Sequence, residues 1–296
     1  MVGAALSGCA VSGRSAPASP TQSSEPKSPT GSQAPPVGTP ASPATPAPTT
    51  STPTQVPGRA EIVARYGHLR PTQWSNGESF RGPISGVVQR TKSDKVVLTL
   101  DACGGPYGSR IDTRILDLLH RLQIPAVLFL NKRWIEANPA TFDKMASSQD
   151  LFDIGNHGTN HRPLSVTGRK AYAEQGTANA GEVYDEVVTN HHYLEKKLGK
   201  APVFYRSGTA YYDDVATKIV RALGEIPIGF DINGDAGTTY SAHETAVETA
   251  KAGRGSIIIC HMNQPSRPVF EGLSVALPQL RSRGLKFAKL STLPLA

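Results

Sequence analysis

From residue 95 onward, short apolar runs alternate with stretches whose apolar residues recur every three or four positions. Residues 95–100 (Lys-Val-Val-Leu-Thr-Leu) read as a buried strand, after which Ile111, Ile115, Leu118, Leu119 and Leu122 fall on one helical face. Pro125 then opens a second apolar run, Ala-Val-Leu-Phe-Leu. Helical patterns follow at 134–146, 182–198, 215–223, 243–252 and 269–281, with Gly199 and Gly224 as stop signals. Strand-like runs occupy 151–154, 202–205, 226–232, 256–260 and 285–290. This βαβα rhythm predicts a parallel sheet covered by helices. Repetition over about seven units favours a barrel over an open sheet, although periodicity alone fits both.

The rhythm does not extend to the N-terminus. Residues 10–58 are nearly all Ser, Thr, Pro, Ala and Gly, hold half of the chain's 24 prolines, and include no aromatic residue. Such a stretch cannot bury enough apolar surface to offset its ordering entropy, and it reads as a disordered, stiffened tether. Before it, residues 1–9 end in Leu6-Ser7-Gly8-Cys9, which resembles a lipoprotein lipobox. A signal peptide needs a basic start and a longer apolar core than Met1 to Ala5 supplies. Either the natural start lies upstream or the four-residue match is fortuitous. The expected organisation is a 1–9 signal remnant, a 10–58 tether, a 59–91 extension packed on the outside of the barrel, and a barrel over 92–296. The lipobox-like end and the tether make the expected location extracytoplasmic, and, since no run is long and apolar enough to span a bilayer, the membrane is reached only through a lipid on Cys9.

Several polar residues stand at or just past the C-terminal ends of the predicted strands: Asp101, His157, Arg206, Asp235 and His261. That is the rim on which parallel barrels build active sites. His157 and His161 lie four positions apart in Gly155-Asn156-His157-Gly158-Thr159-Asn160-His161, so both imidazoles can reach one metal ion. His68, His120, His243 and the adjacent His191 and His192 read as surface residues without a role.

Taken in order, Leu98-Thr99-Leu100-Asp101, the His-x-x-x-His segment, Phe204-Tyr205-Arg206, Asp235 and Ile257-Ile258-Ile259-Cys260-His261 resemble the polysaccharide deacetylases of the NodB-homology type, carbohydrate esterase family four. The resemblance covers roughly residues 90–295. It implies a distorted (β/α) barrel and a divalent metal, most often zinc. It also implies Asp101 as general base oriented by Arg206, and His261 as general acid paired with Asp235 or, in another register, Asp231. The expected substrate is an N-acetylated wall or surface glycan such as peptidoglycan or a chitin-like oligomer.

Two segments depart from the family pattern. Where the family has a second Asp as metal ligand, this chain has Ala102, so the third ligand must come from elsewhere: Asp101 itself, Asp153, water or Cys103. After Arg206 the family's Pro is missing, which leaves no evident position for a backbone oxyanion donor. If Cys9 carries a lipid, Cys103 and Cys260 remain as a pair, either a disulfide between neighbouring strands or two buried thiols. Tyr107, Trp134, Tyr211 and Tyr212 are the expected sugar platforms. The net charge of +7 suits acidic polymers, whereas the absence of a concentrated basic helix argues against nucleic acid. The chain is expected to act as a monomer. The competing expectation is a catalytically weak, glycan-binding lipoprotein with a degenerate site, and hydrolysis of an O-acetyl ester or another amide is a third.

Overall fold

A computed structural model describes residues 56–295, so the lipobox-like segment and nearly all of the expected tether lie outside the described residues. In chain order the elements are α1 (Arg59–Tyr66), β1 (Trp74–Ser75), β2 (Val97–Ala102), α2 (Thr113–Leu122), β3 (Ala126–Leu130), α3 (Lys132–Ala137) and α4 (Pro139–Ser147). They continue with β4 (Phe152–Asn156), α5 (Ala180–Leu198), β5 (Phe204–Tyr205), β6 (Tyr212–Asp213), α6 (Asp214–Ala222) and β7 (Ile226–Pro227). The last are β8 (Ile232–Asn233), α7 (Ala242–Thr249), β9 (Ile257–His261) and α8 (Val269–Ser282). Seven strands form one sheet in the order β7-β5-β4-β3-β2-β9-β8, and every pairing in it is parallel. The sheet and its helices make the distorted barrel that the family resemblance implies.

The distortion has a local cause. The apolar run 226–232 reads as one strand in sequence, but its two ends belong to opposite edges of the sheet. Between β7 and β8 the backbone leaves β5 and joins β9: Gly229 N–H donates to Val88 O, and Asp231 N–H to Ile257 O. Pro227, which has no N–H to give a ladder, sits where the first pairing ends. One stretch of chain therefore bridges the gap that an eighth full strand would fill.

Two further elements differ from the sequence reading. The 134–146 pattern breaks into α3 and α4 because Pro139, placed at the first turn of α4, cannot continue α3. Residues 285–290 form no strand. They make a single parallel bridge, Val96 to Phe287, and pass into a 3-10 turn at Leu290–Thr292.

Strand alternation divides the core into two layers. Leu98, Leu100, Ala102, Leu128, Leu130, Ile258 and Cys260 point outward onto Leu118, Trp134, Leu273 and Leu277 of the helical layer. Val97, Val127, Phe129, Phe204, Ile228, Phe230, Ile257 and Ile259 fill the barrel interior. Ile62 and Tyr66 seat α1 against Val183 and Val187 of α5 and Val220 of α6. No helix among the described residues is long and apolar enough to cross a membrane.

His261, Asp101, Phe129 and Gly155 share one row across four adjacent strands. The Phe129 ring covers Gly155 so closely that a Cβ there would lie 2.6 Å from two ring carbons. Gly155→Ala must displace this ring and is expected to destabilise the domain by about 1–3 kcal/mol, read as a lower urea midpoint at unchanged m-value.

Candidate active site

β2 delivers Asp101 to the inner face at its C-terminal end, where the carboxylate is 2 % exposed. Its Oδ1 accepts from Arg206 Nη1 at 2.8 Å, and its Oδ2 lies 3.7 Å from His157 Nε2. Arg206 follows β5 and is fully buried. Its Nη2 donates to Gly229 O at 2.7 Å, and its guanidinium stacks 4.4 Å above the Phe129 ring. The pairing expected from the sequence, a carboxylate fixed by this arginine, is present.

The two imidazoles converge, their ring centroids 4.9 Å apart. His157 Nδ1 donates to Arg206 O at 2.9 Å, since a carbonyl can only accept. His161 Nδ1 donates to the Glu174 carboxylate at 3.0 Å. Both Nε2 atoms are thereby left for a metal, the usual arrangement when an oxygen acceptor fixes the tautomer of a histidine ligand. Asn131, capping α3, donates to His157 O and Gly158 O, both at 2.9 Å. The buried Glu186 of α5 accepts the N–H groups of Thr159, Asn160 and Arg162.

Cys103 completes the cluster. One donor atom from each of Cys103, His157 and His161 lies within 4.8 Å of the others, and Cys103 Sγ is 3.8 Å from His157 Nε2. Asp153 has no such access: it lies near the start of β4, at the opposite end of the barrel, and accepts from Ser291 N–H and Oγ. Burial pushes the Cys103 thiol up, but the positive His161 and hydrogen bonds with His157, His161 and His261 bring it well below its ordinary value. His161 rises to about 10: burial lowers it, and Cys103 and then Glu174 more than compensate.

Across the same cleft, His261 Nδ1 lies 3.0 Å from Asp235 Oδ1, and the His261 N–H donates to Asp235 Oδ2 at 2.7 Å. Asp231 instead pairs with Arg90 and accepts from Ile257 N–H, which settles the register in favour of Asp235. Burial opposes the charged form of His261, yet Asp235 holds its pKa well above the ordinary histidine value.

The disulfide alternative does not hold: Cys103 and Cys260 are free thiols. Cys260 pairs in register with Leu100, which faces the outer layer, whereas Cys103 continues the inward parity of Thr99 and Asp101. The expected platforms change too. Trp134 and Tyr212 are buried and Tyr211 nearly so, while Tyr107 does line the cleft, joined by Phe80 and Tyr172. The cleft holds about 840 Å³, and Asn76, Glu78 and Phe80 bring into its wall the extension to which the sequence assigned no chemistry. Thr209 and Ala210, directly after the position where the family's Pro is missing, line it with φ of 64° and 59°. Left-handed backbone at such residues costs roughly 1–2 kcal/mol each. His191 is buried against Glu225 at 2.8 Å, not on the surface as expected.

The family model described as polysaccharide deacetylase matches residues 88–225. Over those residues the barrel matches the polysaccharide deacetylase family. An uncharacterized protein of Bacillus subtilis (strain 168), YlxY, is 21% identical over 189 residues, 63% of this chain; the chain spans only 54% of that relative's length. BA3943 from Bacillus anthracis, described as a CE4 family pseudoenzyme, is 18% identical with a TM-score of 0.58, covering 69% of this chain and 67% of that one. The Bc1960 peptidoglycan N-acetylglucosamine deacetylase is 21% identical with a TM-score of 0.57, covering 70% and 91%.

Within this barrel, Glu174, Glu186 and Asn131 escaped the sequence reading. They sit on loops and helices with no pattern that ties them to the imidazoles. Cys103 carried a usable signal, the period-two parity it shares with Asp101. In denaturant without reductant, iodoacetamide is expected to alkylate the peptides carrying Cys103 and Cys260 in full, read by mass spectrometry. An unalkylated Cys103–Cys260 cross-link would contradict the opposite facing of the two side chains.

Proposed function

We propose that this domain removes N-acetyl groups from a wall or surface glycan, using a divalent metal, most naturally zinc, held by His157 and His161. The observation that carries this reading is the convergence in one cleft of the imidazole pair, the Asp101–Arg206 ion pair and the His261–Asp235 pair. The donor chemistry fits a metal, since each ligand imidazole has its Nδ1 committed to an oxygen. Such an ion, when bound, supplies Lewis acidity that polarises an acyl carbonyl and makes water a stronger nucleophile.

The remaining steps fall to the chain. Arg206 occupies Oδ1 of Asp101, so Oδ2 takes the proton of the attacking water. An amine leaves a tetrahedral intermediate only when protonated. His261, held cationic at neutral pH by Asp235, donates that proton. Phe80, Tyr107 and Tyr172, which are 71%, 91% and 69% exposed along the cleft, offer flat apolar faces to sugar rings. The lipobox-like Leu6-Ser7-Gly8-Cys9 and the Pro-rich stretch behind it support a tethered, extracytoplasmic enzyme acting on wall polymer.

Acetate release from N-acetylglucosamine oligomers or peptidoglycan tests the reading. Turnover is expected to stop with chelator, and Asp101→Asn is expected to lower kcat by about 10²–10⁴-fold. Asp235→Asn removes the anion that raises His261, so the alkaline limb of the kcat/KM profile should move to lower pH. The second reading, a glycan-binding module with weak or no catalysis, is favoured by Ala102, a buried methyl in place of the family's carboxylate ligand. Stoichiometric metal without acetate release from any acetylated glycan would select it.

A further inference from the structure

Resting on the metal reading above, we infer that Cys103 Sγ is the third protein ligand, which converts the site into a His2Cys centre selective for thiophilic ions. Three independent features converge on it. First, strand parity turns Ala102 outward into the helical core, where it cannot reach the imidazoles, and returns Cys103 to the face of Asp101. Second, the spacing fits. With Zn–S about 2.3 Å and Zn–N about 2.0–2.1 Å, a tetrahedral S–N edge is about 3.6 Å, and Cys103 Sγ lies 3.8 Å from His157 Nε2.

Third, the loop that carries the thiol is built to hold it there. Gly104 and Gly105 adopt φ of 71° and 82°, a left-handed turn that folds the chain back directly after the cysteine. Gly104 N–H donates to Gly108 O at 3.0 Å. A Cβ on Gly104 would approach the Trp134 nitrogen to 2.7 Å, so the turn packs flush on the start of α3. The competing ligand, Asp101, has one oxygen held by Arg206, and its other oxygen is the proposed proton acceptor, a role that coordination would compromise. A thiolate beside two imidazoles selects zinc or cobalt over magnesium, calcium or manganese, which prefer oxygen donors.

Cobalt(II) loading of the purified full chain tests this with a spectroscopic readout independent of turnover. The bound ion is expected to give a near-ultraviolet sulfur-to-cobalt charge-transfer band, retained in Cys260→Ser and lost in Cys103→Ser. Cys103→Ser should also weaken metal affinity by at least about tenfold, since even outer-sphere partners of a metal site are worth that much. The unfolding midpoint of the metal-free variant should match that of the metal-free parent, which separates lost ligation from lost fold. A Cys103→Asp variant should bind metal without the band. If the parent binds cobalt stoichiometrically with no such band, and Cys103→Ser binds equally well, the inference fails and the His157–His161 metal reading survives. If neither cobalt nor zinc binds the parent, both fall together.

Discussion

A guanidinium buried inside a barrel is tolerated only with its partners in place, because the effective penalty for desolvating each ion is several kcal/mol. Arg206 meets that requirement with Asp101 Oδ1, the carbonyl of Gly229 and the face of Phe129. Its own backbone then does two further things: its N–H donates to Asn156 O on β4, and its carbonyl accepts from His157 Nδ1. One residue thereby connects the proposed base, the first imidazole and the segment that bridges the sheet edges. Removing either member of such a buried pair typically destabilises by about 3–5 kcal/mol, so fold and chemistry are coupled at this point. Substitutions that keep a hydrogen-bonding group on Asp101 are accordingly more informative than any truncation of Arg206.

The imidazole loop depends on a second buried polar layer. Residues between Asn156 and Arg162 form no regular structure, and His161 takes a left-handed φ of 61°. Their backbone groups are satisfied by side chains instead of a ladder: Asn156 Oδ1 accepts from Gly158 N–H, Glu186 accepts three N–H groups, and Asn131 donates to two carbonyls. Asn156 in turn donates to Glu225, which pairs with His191. The loop is thus held in one geometry by directed bonds from α5 and the start of α3, as a preorganised metal site requires.

Much of this was legible in the chain, and the pattern of what was not has physical causes. Strand positions and the rim residues Asp101, His157, Arg206, Asp235 and His261 followed from apolar runs and their ends, because parallel strands buried on both faces leave a strong signal. The split of 226–232 between two sheet edges did not, since an apolar run says that a segment is buried and not which neighbour it joins. The disulfide alternative misjudged parity, a one-residue question: Cys260 stands beside His261 in sequence but faces the opposite layer. Trp134 and Tyr212 were aromatic and near the site in sequence, yet packing had claimed them, whereas Phe80 and Tyr172 came from loops whose paths no periodicity encodes.

The same parity bears on the division of labour at the end of β2. A carboxylate that both bound the metal and accepted a proton would serve each role poorly, since coordination lowers its basicity. Ala102 removes the family's carboxylate from the rim, and the burden would fall on Asp101 were nothing else available. Arg206 already holds one oxygen of Asp101, and the next inward position offers sulfur 3.8 Å from His157. Asp101 can then remain a base while position 103 supplies the coordination that position 102 lacks. Whether this barrel is a hydrolase or a weak glycan-binding relative turns on that displacement of one donor by a single residue along the chain.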